Sequence, residues 1–384
     1  MPKYVFITHS AVPAGAELSL LRLAARLDSD AAVLFTEDGP LVQRFRSQGV
    51  AVQVVAAKMG SGRLSRGRVN LWSAIRGGLA LLVTGWRIGG DICDRSTEVV
   101  VARSTKTLLV GWVACKRAKV PLVWSVHDQI TPQYFGKIVA PAIRTLGRLL
   151  ASGYIANSQS TLETLWTGEK PTVVIPPGIE LRQLTSKPRV KPDASSGLQF
   201  TSVGRIAPWK GQDVFLRAFA SVISKHPDVG RVTVVGGALF GETDYEKSLK
   251  LLVNELGIES VVSFIGHVDD VYPYLEAADI LVHSSVIPEP FGAVVIEGMA
   301  TGCVVIATDA GGPAETIISG DNGLLVPCGD EDALAFALER LLLDVDLRNR
   351  LVAGGIQRAR DYDIEVMATR TRDWLDRLVK GVKR

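Results

Sequence analysis

The sequence predicts an α/β protein made of two doubly wound parallel sheets, and three observations predict it. Short β-branched runs alternate with longer amphipathic stretches along almost the whole chain, which is the punctuation of βαβ units. The alternation pauses once, over the polar stretch from Glu180 to Leu198 with Lys187, Pro188, Lys191 and Pro192, and then resumes. A length of 384 residues is also more than one hydrophobic core usually serves.

The first half opens with a strand at Tyr4 to Thr8, a helix at Leu18 to Leu27 and a strand at Ala31 to Phe35. Further strands are expected at Val50 to Val55, Glu98 to Val101, Pro121 to Val126, Gly153 to Ala156 and Thr172 to Ile175. After the polar stretch come strands at Leu198 to Val203, Arg231 to Val235, Val261 to Ile265, Ile280 to His283, Val304 to Ala307 and Gly323 to Val326. Helices are expected at Gln212 to Lys225, Tyr245 to Leu256, Val271 to Ala277, Gly292 to Ala300, Asp332 to Leu343 and Asp346 to Asp361.

With 47% hydrophobic and 22% charged residues, the chain has the composition of a compact globular protein. A formal charge of +3, with no long basic run, gives no sign of a nucleic-acid partner. Cys93, Cys115, Cys303 and Cys328 lie too far apart for a zinc site or a dense disulfide framework, which fits a reducing cytoplasm. The opening Met1-Pro-Lys-Tyr-Val-Phe-Ile-Thr lacks the regions of a secretory signal. The stretch from Val69 to Ile88 is interrupted by Asn70, Arg76 and glycines, so it is expected as a helix packed on a sheet instead of a membrane span.

Doubly wound sheets bind ligands beyond the carboxyl ends of their strands, so a ligand is expected in a cleft between the two domains, with motifs just after strands. Pro13-Ala-Gly-Ala-Glu17 follows the first strand, where Gly15 would bring backbone N–H groups to a phosphate or merely permit a tight turn. Val203-Gly-Arg-Ile-Ala-Pro-Trp-Lys-Gly211 projects Arg205 and Lys210, flanked by Gly204 and Gly211, from a strand end. Two cations there suit a diphosphate leaving group, although a solvated loop accounts for one of them. Pro288-Glu-Pro-Phe-Gly-Ala-Val-Val-Ile-Glu297 sets one glutamate before a helix and one inside it. The helix N-terminus suits phosphate and the glutamates suit sugar hydroxyls.

With these motifs in order, the chain resembles glycosyltransferase family 4, retaining enzymes of the GT-B architecture, in which two Rossmann-like domains face a central cleft. The resemblance also rests on Ser125-Val-His-Asp128, Ala156-Asn-Ser-Gln159, Val174-Ile-Pro-Pro-Gly-Ile-Glu180 and Ala310-Gly-Gly-Pro-Ala-Glu315, and it covers nearly the whole chain. It implies an acceptor-side domain over residues 1–182, a nucleotide-sugar domain over 183–362 and a helix over 363–384 that returns to the first domain.

By the same resemblance, Arg205 and Lys210 would contact the donor pyrophosphate, Glu289 a hydroxyl of the transferred sugar and Glu297 the ribose. Phe291 and Gly292 would offer backbone N–H groups, with Gly15, Gly204, Pro290 and Ala293 completing the donor set. His127 would touch a donor-sugar oxygen without moving a proton, and Glu17 and Asp128 stand on the acceptor side. The chain departs from many relatives in Ala14-Gly-Ala16, where paired glycines are common, and in Pro177, where asparagine is common.

The implied reaction moves a hexose or N-acetylhexosamine from a nucleotide-diphosphate sugar, UDP favoured over GDP or ADP, to a hydroxyl of a glycan, lipid-linked or small-molecule acceptor. It retains configuration, uses no enzyme nucleophile and needs no cofactor beyond the nucleotide sugar. No Asp-x-Asp motif stands after a strand at a plausible site, so no metal is expected. Arg63, Arg66, Arg68, Arg76, Arg87, Lys116, Arg117 and Lys119, with Trp72, Trp86 and Trp112, form either a face for the inner side of an anionic membrane or ordinary solvated helix surface. Alternatives are a nucleotide-sugar epimerase on the same fold and a non-catalytic nucleotide-sugar sensor.

Overall fold

The computed structural model describes residues 2–55, 71–93, 96–180, 197–238 and 241–382. The chain forms two compact units, Met1–Gly178 with Ile364–Arg384, and Ile179–Asp363.

Among the described residues the first unit holds seven strands: β1 (Tyr4–Thr8), β2 (Ala31–Phe35), β3 (Ala51–Val54), β4 (Val99–Ala102), β5 (Leu122–Val126), β6 (Gly153–Ala156) and β7 (Thr172–Val174). All pair in parallel in the order β3-β2-β1-β4-β5-β6-β7. Its helices are α1 (Gly15–Leu27), α2 (Pro40–Ser47), α3 (Leu71–Cys93), α4 (Thr105–Ala118), α5 (Pro132–Phe135), α6 (Val139–Leu150) and α7 (Gln159–Glu163). The central strands are buried on both faces and so read as unbroken apolar runs, YVFIT in β1 and VVVA in β4. One core joins Tyr4, Phe6, Val33 and Phe35 to α1, α2 and the C-terminal helix; the other joins Val5, Ile7, Val100 and Trp124 to α3, α4 and α6.

The second unit repeats the plan with β8 (Leu198–Val203), β9 (Gly230–Val235), β10 (Val262–Gly266), β11 (Ile280–His283), β12 (Val304–Thr308) and β13 (Leu324–Val326). These are also all parallel, in the order β10-β9-β8-β11-β12-β13. Its helices are α8 (Gln212–Lys225), α9 (Thr243–Glu255), α10 (Tyr272–Ala277), α11 (Ala293–Thr301), α12 (Gly312–Thr316), α13 (Glu331–Leu343) and α14 (Val345–Ala359). The last helix, α15 (Ile364–Val382), packs on α1 and buries Trp374, Leu375 and Leu378 in the first unit.

Both sheets reverse strand order beside their first strand, between β1 and β4 and between β8 and β11, so each has a switch point where crossovers diverge and leave a crevice.

The division falls at Gly178, four residues before the boundary read from the sequence. The Ile179 N–H bonds to the Tyr362 carbonyl at 2.8 Å, which ties the start of the second unit to its end. The Arg22 guanidinium donates to the Gly178 carbonyl at 3.2 Å on the other side of the cut. Most of the polar stretch from Glu180 to Leu198 lies outside the described residues. So do Val69, Asn70, Arg63, Arg66 and Arg68. Helix α3 runs on past Ile88 through Gly89 and Gly90. A side chain at Gly85 would stand 2.6 Å from the Val110 carbonyl and one at Gly89 2.9 Å from that of Ala114, so these glycines serve close packing on α4 and do not end the helix.

Candidate active site

In the second unit the polar groups gather at the switch point. Lys210 ends a short 3-10 turn, Pro208–Lys210, and Gly211 follows with φ +63° to start α8. A Cβ at Gly211 would lie 2.1 Å from the Ser284 carbonyl oxygen, so only glycine lets the turn approach the end of β11. From the turn after β8, Lys210 reaches the loop after the neighbouring strand β11, where its Nζ donates to Glu289 Oε1 at 2.7 Å and Oε2 at 2.6 Å. His283 Nε2 lies 3.0 Å from Glu289 Oε2, and the Ser285 hydroxyl donates to the same oxygen at 2.9 Å.

Burial would push the Glu289 carboxyl up, but the Lys210 ammonium and the His283 ring outweigh it and hold the carboxyl well below the usual carboxylate range. Glu289 is therefore an ionised, acceptor-only group in a site where its side chain is 12% exposed. Arg205 and Lys210 flank Trp209, their cationic groups 5.5 Å and 4.5 Å from its ring centroid, and Arg205 also faces Glu242 at 3.6 Å.

The loop carrying Glu289 is held by the Ala310–Glu315 motif. Gly311, at φ +68°, lies against the Glu289 backbone, where a Cβ would meet the carbonyl oxygen at 2.1 Å, and the Gly312 N–H donates to that oxygen at 2.9 Å. This glycine pair is a backbone clamp on the glutamate loop. Gly292, at φ +80°, is the N-cap of α11 with no side-chain cap. Among the described residues, the N–H groups of Phe291, Gly292 and Ala293 make no hydrogen bond, so a helix N-terminus with open donors stands beside Glu289. Pro290 has no N–H to offer. Phe291 is buried and stacks its ring 5.9 Å from Tyr362, so only its backbone is available. Glu297 is half-buried in α11.

In the first unit Gly15 opens α1 directly after β1, and its surroundings are open. Arg103 follows β4 and is buried; it donates to the Ala16 carbonyl at 2.7 Å and to Ser125 Oγ at 3.2 Å. Burial lowers its pKa to about 10, with Glu17 acting the other way, so Arg103 is cationic at neutral pH. Glu17 is in turn raised by burial, against the pull of Arg103. Ser125 Oγ lies 2.9 Å from His127 Nε2, and Asn157 donates to the His127 carbonyl at 3.3 Å, which joins two of the sequence motifs. Burial first, and the Arg103 charge second, push the His127 pKa well below its ordinary value. Asp128 is exposed.

The structure thus brings Lys210 and Glu289 into direct contact, where the sequence assigned them to separate parts of a donor. It sets Arg103 with Glu17, Ser125 and His127 in the other unit. His283, Ser285 and Arg103 join these clusters without having been read from the sequence; His283 and Arg103 are each a single polar residue ending an otherwise apolar strand, ILVH or VVVA-R, and that break in the run was the available signal. Trp112 packs partly buried against the core, while Trp86 is 59% exposed. Among the described residues no group of three or more His, Cys, Asp or Glu could hold a metal ion. None of the described helices is long and apolar enough to cross a membrane.

Two parallel sheets of this order, one with cations and open helix N–H groups at its switch point, define a protein of the nucleotide-binding doubly wound class. Residues 39–183 match the model of Glycosyltransferase Family 4 and residues 186–358 that of Glycosyl transferases group 1. The chain is 31% identical over 333 residues to the D-inositol 3-phosphate glycosyltransferase of Nocardioides sp., covering 76% of this chain and 72% of that one. It is 30% identical to the Streptomyces bingchenggensis protein of that name over 72% of this chain, and the match spans 65% of that relative, less than two thirds of its length. The crystal structure of Anabaena Alr3699/HepE in complex with UDP and glucose superposes with a TM-score of 0.84 at 27% identity, covering 98% of this chain and 100% of the other. The chain belongs to glycosyltransferase family 4 and has the GT-B fold.

Proposed function

We propose that the chain is a retaining, metal-independent glycosyltransferase that moves a hexose or N-acetylhexosamine from a UDP-sugar to a hydroxyl of a glycan, lipid-linked or small-molecule acceptor. The observation that carries this reading is the ionised Glu289, paired with Lys210 beside the open N-terminus of α11. A lysine ammonium has three N–H donors, so Lys210 keeps Glu289 in place while giving another hydrogen to a phosphate oxygen. Arg205 and the first-turn N–H groups of α11 add to the neutralisation of a departing diphosphate, the role a divalent cation fills in other transferases. Glu289, acceptor-only, orients hydroxyls of the transferred sugar, and Glu297 those of the ribose.

In the step itself the bond from the anomeric carbon to the diphosphate oxygen breaks first. The acceptor oxygen then bonds to the same face of that carbon, and its proton passes to a phosphate oxygen of the leaving group. Retention follows with no covalent intermediate on the protein. The UDP and glucose of the Anabaena structure favour uridine and a hexose. An inositol phosphate is the first acceptor to assay, because the Nocardioides and Streptomyces relatives carry that name.

The test is turnover of UDP-glucose in excess chelator with the anomer of the product read by NMR. An α-linked product supports retention and metal independence. A β-linked product, or turnover that returns only with magnesium, overturns the corresponding part. Free or epimerised sugar as the main product without acceptor indicates the epimerase, and binding without turnover on any acceptor pool the sensor.

A cytoplasmic protein that touches the inner face of the membrane fits the exterior of α3. Leu79, Leu82, Val83 and Trp86, exposed at 56%, 38%, 52% and 59%, fall at helical spacing on one stripe. Arg117 lies 4.6 Å over the Trp86 ring, and Arg87 and Lys116 are exposed nearby, whereas Asp91, the sole acidic residue of α3 and α4, is bonded by Gln53. An apolar stripe edged by cations suits an anionic bilayer, while a second copy would set like charges face to face. Sedimentation with phosphatidylglycerol vesicles is expected to exceed that with phosphatidylcholine, and Trp86→Ser to reduce it. Equal loading on both would remove the electrostatic part of the reading.

A further inference from the structure

Arg103 and Ser125 are given no role by the transferase reading, yet both are buried and both lead to His127. A guanidinium has donors and no acceptor, so in the 3.2 Å contact from Arg103 the Ser125 oxygen must accept. The hydroxyl then has one proton to place. Ser125 is 2% exposed, and the one acceptor within reach among the described residues is His127 Nε2, at 2.9 Å. The reverse arrangement, with Nε2–H donating to Ser125, would leave the serine proton buried without a partner, which is unfavourable.

We propose that Arg103 and Ser125 form a relay that fixes His127 as the neutral Nδ1–H tautomer and turns it into a permanent hydrogen-bond donor. Nε2 is used up as an acceptor inside the protein, and Nδ1 makes no hydrogen bond among the described residues, so its N–H is free for an oxygen of a ligand. The second amino group of Arg103 holds the Ala16 carbonyl in the first turn of α1, so one buried cation positions both the glycine loop after β1 and the histidine after β5. Glu17 balances its charge. Arg103 and Ser125 are positioning residues, and His127 gives a proton-bearing nitrogen to substrate without taking a proton from it. That the oxygen it meets belongs to the transferred sugar rests on the proposed transferase activity; the tautomer does not.

The test uses the full chain labelled with 15N-histidine, with His127 assigned by the loss of its signals in His127→Gln. Long-range 1H–15N correlation at neutral pH is expected to show Nδ1 protonated and Nε2 unprotonated. Ser125→Ala deletes one oxygen from a buried strand, and its melting temperature reports whether it folds. In it the ratio of Nδ1–H to Nε2–H is expected to fall by about fivefold to tenfold, the equivalent of one hydrogen bond. An Nε2–H tautomer in the wild type, or an unchanged ratio in folded Ser125→Ala, would overturn the relay. Because the wild-type spectrum needs no variant and no substrate, the relay can fail while the transferase reading stands, and the reverse.

Discussion

Replacing Glu289 with glutamine tests how the second unit handles its buried charge. Lys210 and Glu289 have side chains 14% and 12% exposed and meet at 2.6 Å, so neither is well solvated. Glu289→Gln keeps the size of the side chain but leaves the Lys210 ammonium without its counter-charge. Removing one partner of a buried pair costs about 3–5 kcal/mol. The glutamine oxygen still accepts from Ser285 and His283, which puts the expected loss near the lower end, about 3 kcal/mol. For a unit of this size that lowers the unfolding midpoint by roughly 6–12 °C.

The loss is also pH-dependent in sign. The carboxyl is depressed in the folded state, so its contribution is fully present above the unfolded value, about 4.3, and fades as pH falls toward the folded one. In calorimetric unfolding from pH 7 down to pH 3, the gap between wild type and variant should therefore narrow toward the acid end. A double-mutant cycle with Lys210→Met isolates the pair. An unchanged midpoint at pH 7, or a gap between the two proteins that does not narrow on acidification, would refute the assignment of Glu289 as a buried, paired carboxylate.

Gly211→Ala sets a Cβ 2.1 Å from the Ser284 carbonyl at φ +63°, so it should cost at least about 1–3 kcal/mol and impair nucleotide binding as the Lys210 turn moves; thermal melts and binding on one preparation check it. His127, held neutral, binds its proton less readily folded than unfolded. Stability should fall as pH drops below about 6.5, by up to about 1.4 kcal/mol per pH unit, and His127→Gln should flatten that part of a pH series of denaturant midpoints. Gly312→Ala would bring a Cβ within 2.3 Å of Phe291 Cα, and it should loosen the Glu289 loop enough to weaken nucleotide binding while the rest of the second unit stays folded, as read by calorimetry and circular dichroism.

Much of this was legible because the strands are short β-branched runs bounded by turn residues. Gly153–Ala156, Leu198–Val203 and Ile280–His283 have the limits that the sequence indicates. The motifs at strand ends were visible for the same reason, since a glycine or a cation directly after an apolar run has few structural uses. Contacts between motifs were not visible. Lys210 and Glu289 are 79 positions apart, and their meeting depends on β8 and β11 being neighbours at the switch point, a property of sheet order and not of either segment. Arg103 and His283 were passed over because a lone polar residue at a strand end looks like any other; only its burial and partners set it apart. The close packing of α3 on α4 that Gly85 and Gly89 allow was not visible either, since it depends on which helix lies alongside. The four-residue shift at Gly178 reflects a backbone hydrogen bond to Tyr362, far along the chain, that no local pattern encodes.

The central claim is that the switch point of the second unit holds the diphosphate and ribose of a nucleotide sugar. Calorimetric titration of UDP, GDP and ADP into the wild type, Lys210→Ala and Glu297→Ala, at matched salt and with chelator present, tests it most directly. The account predicts that UDP binds the wild type and that each substitution weakens it by about tenfold or more, the loss of one hydrogen bond to a charged group. Failure of all three nucleotides to bind, or binding that both substitutions leave unchanged, would contradict it.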